Sequence, residues 1–490
     1  DGKGSNGKVT ITYQTGGISL IRSELNISPD TIAADGQSTA TVTVQLLDQQ
    51  GNKPTTNAGV VILTGIDNGT LIDGLNGGFE LTHVADGLYR GTITSTKAGA
   101  DTISFEYGAT AASVAPAQAK KVLTYTAGEV DLTKSTIVIN PATITANDVE
   151  RATVIVQLVD AFDNKIIENK GEVELLLTIG KVNNGDSKVL THQANGTYTG
   201  TITSTKTGFE EIGFKLAGYT DQTATAPLTY TAGPMNLATS TITLDPKEII
   251  ANDSDLSTIT VQFKDAFGNN VTSPVVGDVK LDIAGVQTGK IAQDLTVEAG
   301  DNGKYTATVK SEKAGVDNIG FKVGSNLGAN GKRETVTYLA GNADITKTRF
   351  TANPTSIVAN DATTATLKVE LFDTFGNKVD PASQDSVEII FKDGSTELGQ
   401  LEQLGRGVDG SFTARVKSQK SGIDTFDFKL NGNAANYPDV TVAYTAGAAN
   451  ARMSEISAQP VSITADGVTK STVTVQLKDQ FGNNLTEGIG

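Results

Sequence analysis

The chain has 490 residues, 38% hydrophobic and 19% charged, with 52 glycines and neither cysteine nor tryptophan. A net charge of −16 disfavours phosphate backbones and anionic lipid surfaces as partners. The missing cysteine excludes disulfides, thiol nucleophiles, zinc–thiolate sites and iron–sulfur clusters. The length exceeds what a single core organises, so several domains are expected, and no apolar run approaches the ~18 residues of a membrane-spanning helix.

In chain order, the first recognisable element is a closing strand, TYQTGG at Tyr13. It recurs as TYTAG at Tyr125, Tyr230 and Tyr444 and as TYLAG at Tyr338, with spacings of 105–112 residues. Before each recurrence come three further markers in fixed order. The first is a turn beginning Ala-(Asn/Asp)-(Asp/Gly) at Ala34, Ala146, Ala251, Ala359 and Ala465. The second is Asp-x-x-x-Asn, starting at Asp48, Asp160, Asp265, Asp373 and Asp479. The third is YRGTITSTKAG at Tyr89, with equivalents at Tyr198, Tyr305 and Phe412. This register predicts a closing strand in 1–17, complete domains at 18–128, 129–233, 234–341 and 342–447, and the start of another at 448–490. The chain opens at Asp1 without methionine and reads as a segment of a longer protein.

Within each unit the apolar residues alternate. Thr153–Val159 sets Val154, Val156 and Leu158 on one face, and Thr41–Leu47, Thr258–Phe263, Thr366–Leu371 and Thr472–Leu477 repeat the pattern. Tyr198, Gly200 and Ile202 likewise share a face. No stretch of a dozen residues carries a capped helical period. The predicted fold is all-β: tandem immunoglobulin-like β-sandwich domains in an elongated rod.

The turns have identifiable chemistry. In Asp265–Asn269, Gly268 is placed for positive φ, while the Asp and Asn side chains can satisfy turn amides. The aromatic at the third position (Phe162, Phe267, Phe375 and Phe481, with Gln50 in the first unit) is expected to plug one end of the sandwich. Asp301-Asn-Gly-Lys-Tyr305 fits a tyrosine corner, which Phe412 would lack for want of a hydroxyl. Junctions are short, and Leu132, Leu237, Ile345 and Ala451 are expected to pack between neighbouring domains and stiffen them.

The string SxIxVxPxxIxANDxxxxTVxVQLxDxFGN followed by GxYxGTITSTKAG resembles the group 1 bacterial Ig-like domains of the intimin/invasin adhesins over essentially the whole chain. The resemblance implies the passenger region of an outer-membrane adhesin of a Gram-negative bacterium. There, an N-terminal β-barrel anchors a string of such domains that often ends in a lectin-like tip. The implied function is a structural stalk that projects a binding tip for cell adhesion. The implied partners are host cell-surface or matrix proteins or glycans, engaged through regions outside this chain, with no nucleic acid and no membrane contact except through the barrel. One alternative is that a domain here itself binds a host glycoprotein or self-associates through an exposed sheet edge. Another is an accessory role in a secreted enzyme or phage fibre.

No catalytic constellation stands out. The histidines, His83 and His192, fall at equivalent surface positions, and no serine lies in a G-x-S-x-G elbow. The reading is therefore not an enzyme, with no cofactor. Calcium is the one metal considered: Asp148, Asp253 and Asp361 in the Ala-Asn-Asp turns, with Asp131 or Asp344 at junctions, could supply oxygen ligands, although turn capping is the plainer role. A Lys–Asn isopeptide crosslink would require a buried carboxylate, which the sequence reading does not locate.

Overall fold

A computed structural model describes residues 8, 10–108, 115–182, 187–220, 224–271, 279–285, 289–297, 303–328, 331–379 and 384–486. These are built from strands and turns, with no α-helix among the described residues. The chain divides into two compact units, 1–233 and 234–490.

The first sandwich of the first unit sets the pattern. Its strands are β1 (Glu24–Ser28), β2 (Thr31–Ala33), β3 (Ala40–Gln45), β4 (Val60–Thr64), β5 (Thr70–Leu71), β6 (Thr82–Ala85), β7 (Leu88–Thr94), β8 (Gly99–Gly108), β9 (Ala115–Pro116) and β10 (Lys121–Thr126). One sheet runs β1-β3-β7-β5, with β6 beside β7; the other runs β2-β10-β8-β4, with β9 beside β8. The opening segment is thus shared between sheets. β1 pairs antiparallel with β3 (Leu25 opposite Val44), and β2 then pairs parallel with β10 (Ile32 opposite Tyr125). The alternation of β3 follows directly from the sequence: Ala40, Val42 and Val44 are fully buried while the intervening threonines face outward.

Thr136–Thr231 repeats this arrangement in the same unit. Thr241–Leu339 and Arg349–Thr445 repeat it in the second unit, followed by a two-stranded hairpin of Glu455–Gln459 and Thr472–Gln476. Each sandwich closes its own apolar cluster. Val42, Phe105 and Tyr125 belong to one; Val154, Phe214 and Tyr230 to another; Phe263, Phe321 and Tyr338 to a third; Leu367, Phe428 and Tyr444 to a fourth. The expected face of Val154, Val156 and Leu158 is fully buried.

Two expectations about packing are corrected. Leu132 does not sit between domains: it is buried in the core that follows it, and Leu237 and Ile345 pack against the cores that follow them. Ala451 is exposed. A short linker delivers these side chains directly over the open end of the next sandwich, where burial is already available. The turn aromatics Phe162, Phe267, Phe375 and Phe481 are 37–49% exposed and plug no core. The aspartate that opens each turn folds its own carboxylate inward, which leaves the third side chain directed outward.

Candidate functional site: the junction turn and the buried carboxylate

The Asp-x-x-x-Asn turn is built around its first side chain. In Asp160, Oδ1 accepts the backbone N–H groups of Phe162 and Asn164, both at 2.9 Å. Its Oδ2 accepts the Asn164 amide and the N–H of Gly128 in the preceding linker, both at 2.8 Å. Asp48, Asp373 and Asp479 hold Gly16, Gly341 and Gly447 in the same way at 2.9–3.1 Å. The fourth turn residue takes the left-handed conformation this closure requires. Gly268, Gly376 and Gly482 have φ of 83–86°, and Asp163 substitutes at 66°.

Burial alone would raise the pKa of Asp160, but the bonds from Asn164 and from the Gly128, Asn164 and Phe162 amides outweigh it and hold the carboxyl below its ordinary value. The same balance lowers Asp479. In Asp48 the Asn52 side chain leads in lowering the pKa to about 2.

With its amide fixed by the aspartate, the turn asparagine reaches the loop of the preceding sandwich. Asn164 Oδ1 accepts the Ala98 N–H at 2.7 Å, and its Nδ2 donates to the Thr96 carbonyl at 3.0 Å. Asn377 makes the same pair with Ala314 and Glu312 at 2.7 and 2.9 Å. Asn483 makes it with Ser421 and Gln419, both at 2.8 Å. The receiving loop is the Ser-x-Lys segment of the YRGTITSTKAG marker, closed by its serine: Ser95 Oγ accepts the Lys97 N–H at 2.9 Å, and Ser311 and Ser418 do likewise for Lys313 and Lys420. Two markers that recur separately in the sequence therefore meet at a junction. Sequence reasoning gave the turn its internal role and missed this outward one.

A second cluster lies inside each sandwich and was also missed. Asp101, Glu210, Asp317 and Asp424 are buried carboxylates at equivalent positions on the strand that follows the marker. Asp101 accepts the N–H groups of Asp67, Asn68 and Gly69 and the Tyr125 hydroxyl, at 2.9–3.2 Å. Glu210 accepts the N–H groups of Thr178, Ile179 and Gly180 and, at 2.6 Å, the Tyr230 hydroxyl. Asp424 accepts from Leu398 and Gly399, and Gly289 donates to Asp317. Such a charge is tolerable only because donors surround it. Burial pushes Glu210 up, but the Tyr230 hydroxyl and the three amides bring it below the usual range. The pKa values of Tyr125, Tyr230, Tyr338 and Tyr444 are raised, first by burial and then by the adjacent carboxylate. The hydroxyls of Tyr338 and Tyr444 lie in the same cluster without a hydrogen bond of good geometry. Glycine is required opposite each tyrosine, since a Cβ on Gly69, Gly180, Gly289 or Gly399 would lie 2.2–2.3 Å from the phenolic oxygen. A buried carboxylate is one requirement of an isopeptide crosslink, and these acids meet that requirement alone. The partners of Asp101 and Glu210 are amides and hydroxyls, an arrangement that holds a loop in place.

In place of a local tyrosine corner, the hydroxyl at this position reaches main chain 28–31 residues upstream. Tyr89 accepts the Ala58 N–H and donates to the Gly59 carbonyl, and Tyr198 accepts the Lys170 N–H at 2.9 Å. Asp301 of the Tyr305 motif lies outside the described residues. Phe412 instead packs beneath the Arg406 guanidinium at 4.9 Å. His83 and His192 stand edge-on to Tyr89 and Tyr198.

The aspartates considered for calcium are not gathered into one site. Asp131 and Asp344 each cap their own turn through Thr133 and Thr346. Asp148, Asp253 and Asp361 have φ of 57–61° and face Lys181, Lys310 and Lys417. No group of three or more His, Cys, Asp or Glu able to hold a metal occurs among the described residues.

Two-sheet sandwiches in series, each with an Asp-x-x-x-Asn turn and a buried internal carboxylate, define a tandem immunoglobulin-like repeat protein. The family described as Invasin, domain 3, matches residues 19–126, 131–233, 236–341 and 344–447, and the chain belongs to that family. It is 23% identical over 485 residues to the inverse autotransporter adhesin YeeJ of Escherichia coli (strain K12), covering 97% of this chain and 19% of YeeJ. The chain thus spans about a fifth of that relative's length. Among solved structures, the Escherichia coli adhesin FdeC matches with a TM-score of 0.41 and 19% identity over 65% of this chain and 99% of FdeC. Yersinia pseudotuberculosis InvD matches with a TM-score of 0.42 and 20% identity over 65% of this chain and 98% of InvD.

Proposed function

We propose that this chain is a spacer segment of an adhesin on the surface of a Gram-negative bacterium, where it holds a binding region away from the outer membrane and performs no catalysis. The observation that carries this reading is the junction turn: Asn164 and Asn377 each tie a sandwich, and Asn483 the final hairpin segment, to the loop before it with the same two bonds. A repeated tether of this kind restricts swivelling where a free linker would permit it. YeeJ and FdeC, which resemble the chain, are named as adhesins, and this supports the assignment to adhesion. Host proteins or glycans would be engaged elsewhere in the full-length protein.

Small-angle scattering of the whole chain tests the mechanical half. Replacing all three asparagines with alanine should broaden the distribution of end-to-end lengths while the circular dichroism spectrum stays unchanged. Binding to host cells tests the other half: saturable binding of the purified chain would overturn the spacer reading in favour of a receptor-binding one. The five aspartates considered for calcium are proposed to serve their turns, so EDTA should leave the thermal midpoint where it was, and a drop would reinstate the metal.

A further inference from the structure

The strand registers fix how tension would enter a sandwich. β1 begins opposite the end of β3 (Glu24 opposite Gln45), beside the Asp48 turn, and the chain then runs through β1 and β2 toward the other end. β10 runs parallel to β2, with Thr124, Tyr125 and Thr126 beside Thr31, Ile32 and Ala33, and leaves at that far end. The entry and exit points are therefore at opposite ends of the sandwich. A pull on the chain drags β1–β2 backward and β10 forward, so the two slide along their length.

We propose that each sandwich is built to carry tension in shear, through the paired positions of its first strand segment and its last strand, with a tyrosine–carboxylate tie added on the last strand of the first two sandwiches. Along β1 and β3 five residue pairs are loaded together, and along β2 and β10 three more. Every rung of a sheared ladder must stretch at once, whereas a ladder peeled from one end breaks rung by rung. β10 is anchored on its other side by five pairs to β8 and by the Tyr125 hydroxyl on Asp101. The Asn164 hook grips Thr96 and Ala98 in the loop that leads into β8, so pull from the next sandwich reaches β8 as well as the linker. The same registers recur at Thr143–Thr145 beside Thr229–Thr231, at 248–250 beside 337–339, and at 356–358 beside 443–445. The biological meaning of this load path rests on the spacer reading above, but the load path itself is read independently of it.

The absence of cysteine allows handles to be placed at will. Gln37→Cys with Glu129→Cys puts both handles at the exit end of the first sandwich, just past β2 and β10, so that an optical trap peels the parallel pair open. Ala362→Cys with Ala448→Cys does the same in the fourth. All four positions are exposed, and the two sandwiches give independent readings. Pulled through its ends, the whole chain should unfold at several-fold higher force than either sandwich pulled through its cysteine pair. Equal forces in both geometries would overturn the shear assignment, while leaving the scattering and cell-binding tests of the spacer untouched.

Discussion

Asn164→Ala isolates the junction tether from the sandwiches it joins. The substitution removes the bond from the Ala98 N–H at 2.7 Å and the bond to the Thr96 carbonyl at 3.0 Å. It also removes one of the donors to the Asp160 carboxylate. Each cross-junction bond is worth about 1 kcal/mol net, so the docked arrangement should weaken by about 2 kcal/mol, or roughly 30-fold in the open-to-docked ratio. The Ala98 amide reports this directly because its acceptor comes from the next sandwich, and local opening governs its hydrogen exchange. Its exchange should accelerate roughly 30-fold, while amides of the central strands, such as Val42 and Val154, keep their protection. Unchanged exchange at Ala98 would mean that the hook does not hold the junction. Equal acceleration throughout Thr136–Thr231 would mean that the substitution acts by unfolding that sandwich. Both results would refute the reasoning.

Other perturbations separate the internal sites. Tyr89→Phe removes a hydroxyl that accepts from Ala58 and donates to Gly59, and should lower the stability of the first sandwich by about 1 kcal/mol in a denaturant melt; an unmoved midpoint would deny this tie a stabilising role. Gly180→Ala would place a Cβ 2.2 Å from the Tyr230 oxygen, and the overpacking should cost about 1–3 kcal/mol. Adding Tyr230→Phe to that variant should restore part of the loss, and strictly additive losses would show that the two sites do not meet. Acid should act through the depressed carboxyls, Asp48 at about 2 and Asp160, Glu210 and Asp479 also below their ordinary values. The unfolded chain takes up protons first, so their contribution is complete above about pH 5 and is lost as the pH falls toward 2. A thermal midpoint that stays flat from pH 7 to about pH 2 would contradict these shifts.

Much of this architecture was legible because strand alternation and turn chemistry are local. The face of Val154, Val156 and Leu158 is buried as its spacing required, and Gly268 takes the positive φ its turn position called for. The buried carboxylates were legible too, although they were overlooked. Asp101, Ile103 and Phe105 share one parity, as do Glu210, Ile212 and Phe214, and this places each acid on the core face of its strand. A charge at an inward position signals a site with its donors already arranged. The turn aromatics misled for the opposite reason: their apolar character was given more weight than the geometry of a turn that folds around its aspartate. The hook had no readable partner. Its acceptor and donor in the preceding sandwich are main-chain atoms, which leave no residue-type signature.

That choice of atoms explains how the junction can be repeated while its surroundings vary. The segments gripped by the asparagines read Thr96-Lys97-Ala98, Glu312-Lys313-Ala314 and Gln419-Lys420-Ser421, so the first residue is small and neutral in one, acidic in another and a long neutral amide in the third. The bonds nevertheless stay within 2.7–3.0 Å. Only the loop shape must persist, and that shape is set by the serine that closes it and by the strand pair it connects. A tether made to side chains would oblige each sandwich to match its particular neighbour. A tether made to the backbone asks of the neighbour only its fold, so repeats can diverge in sequence, or change in number, without loosening the joints between them.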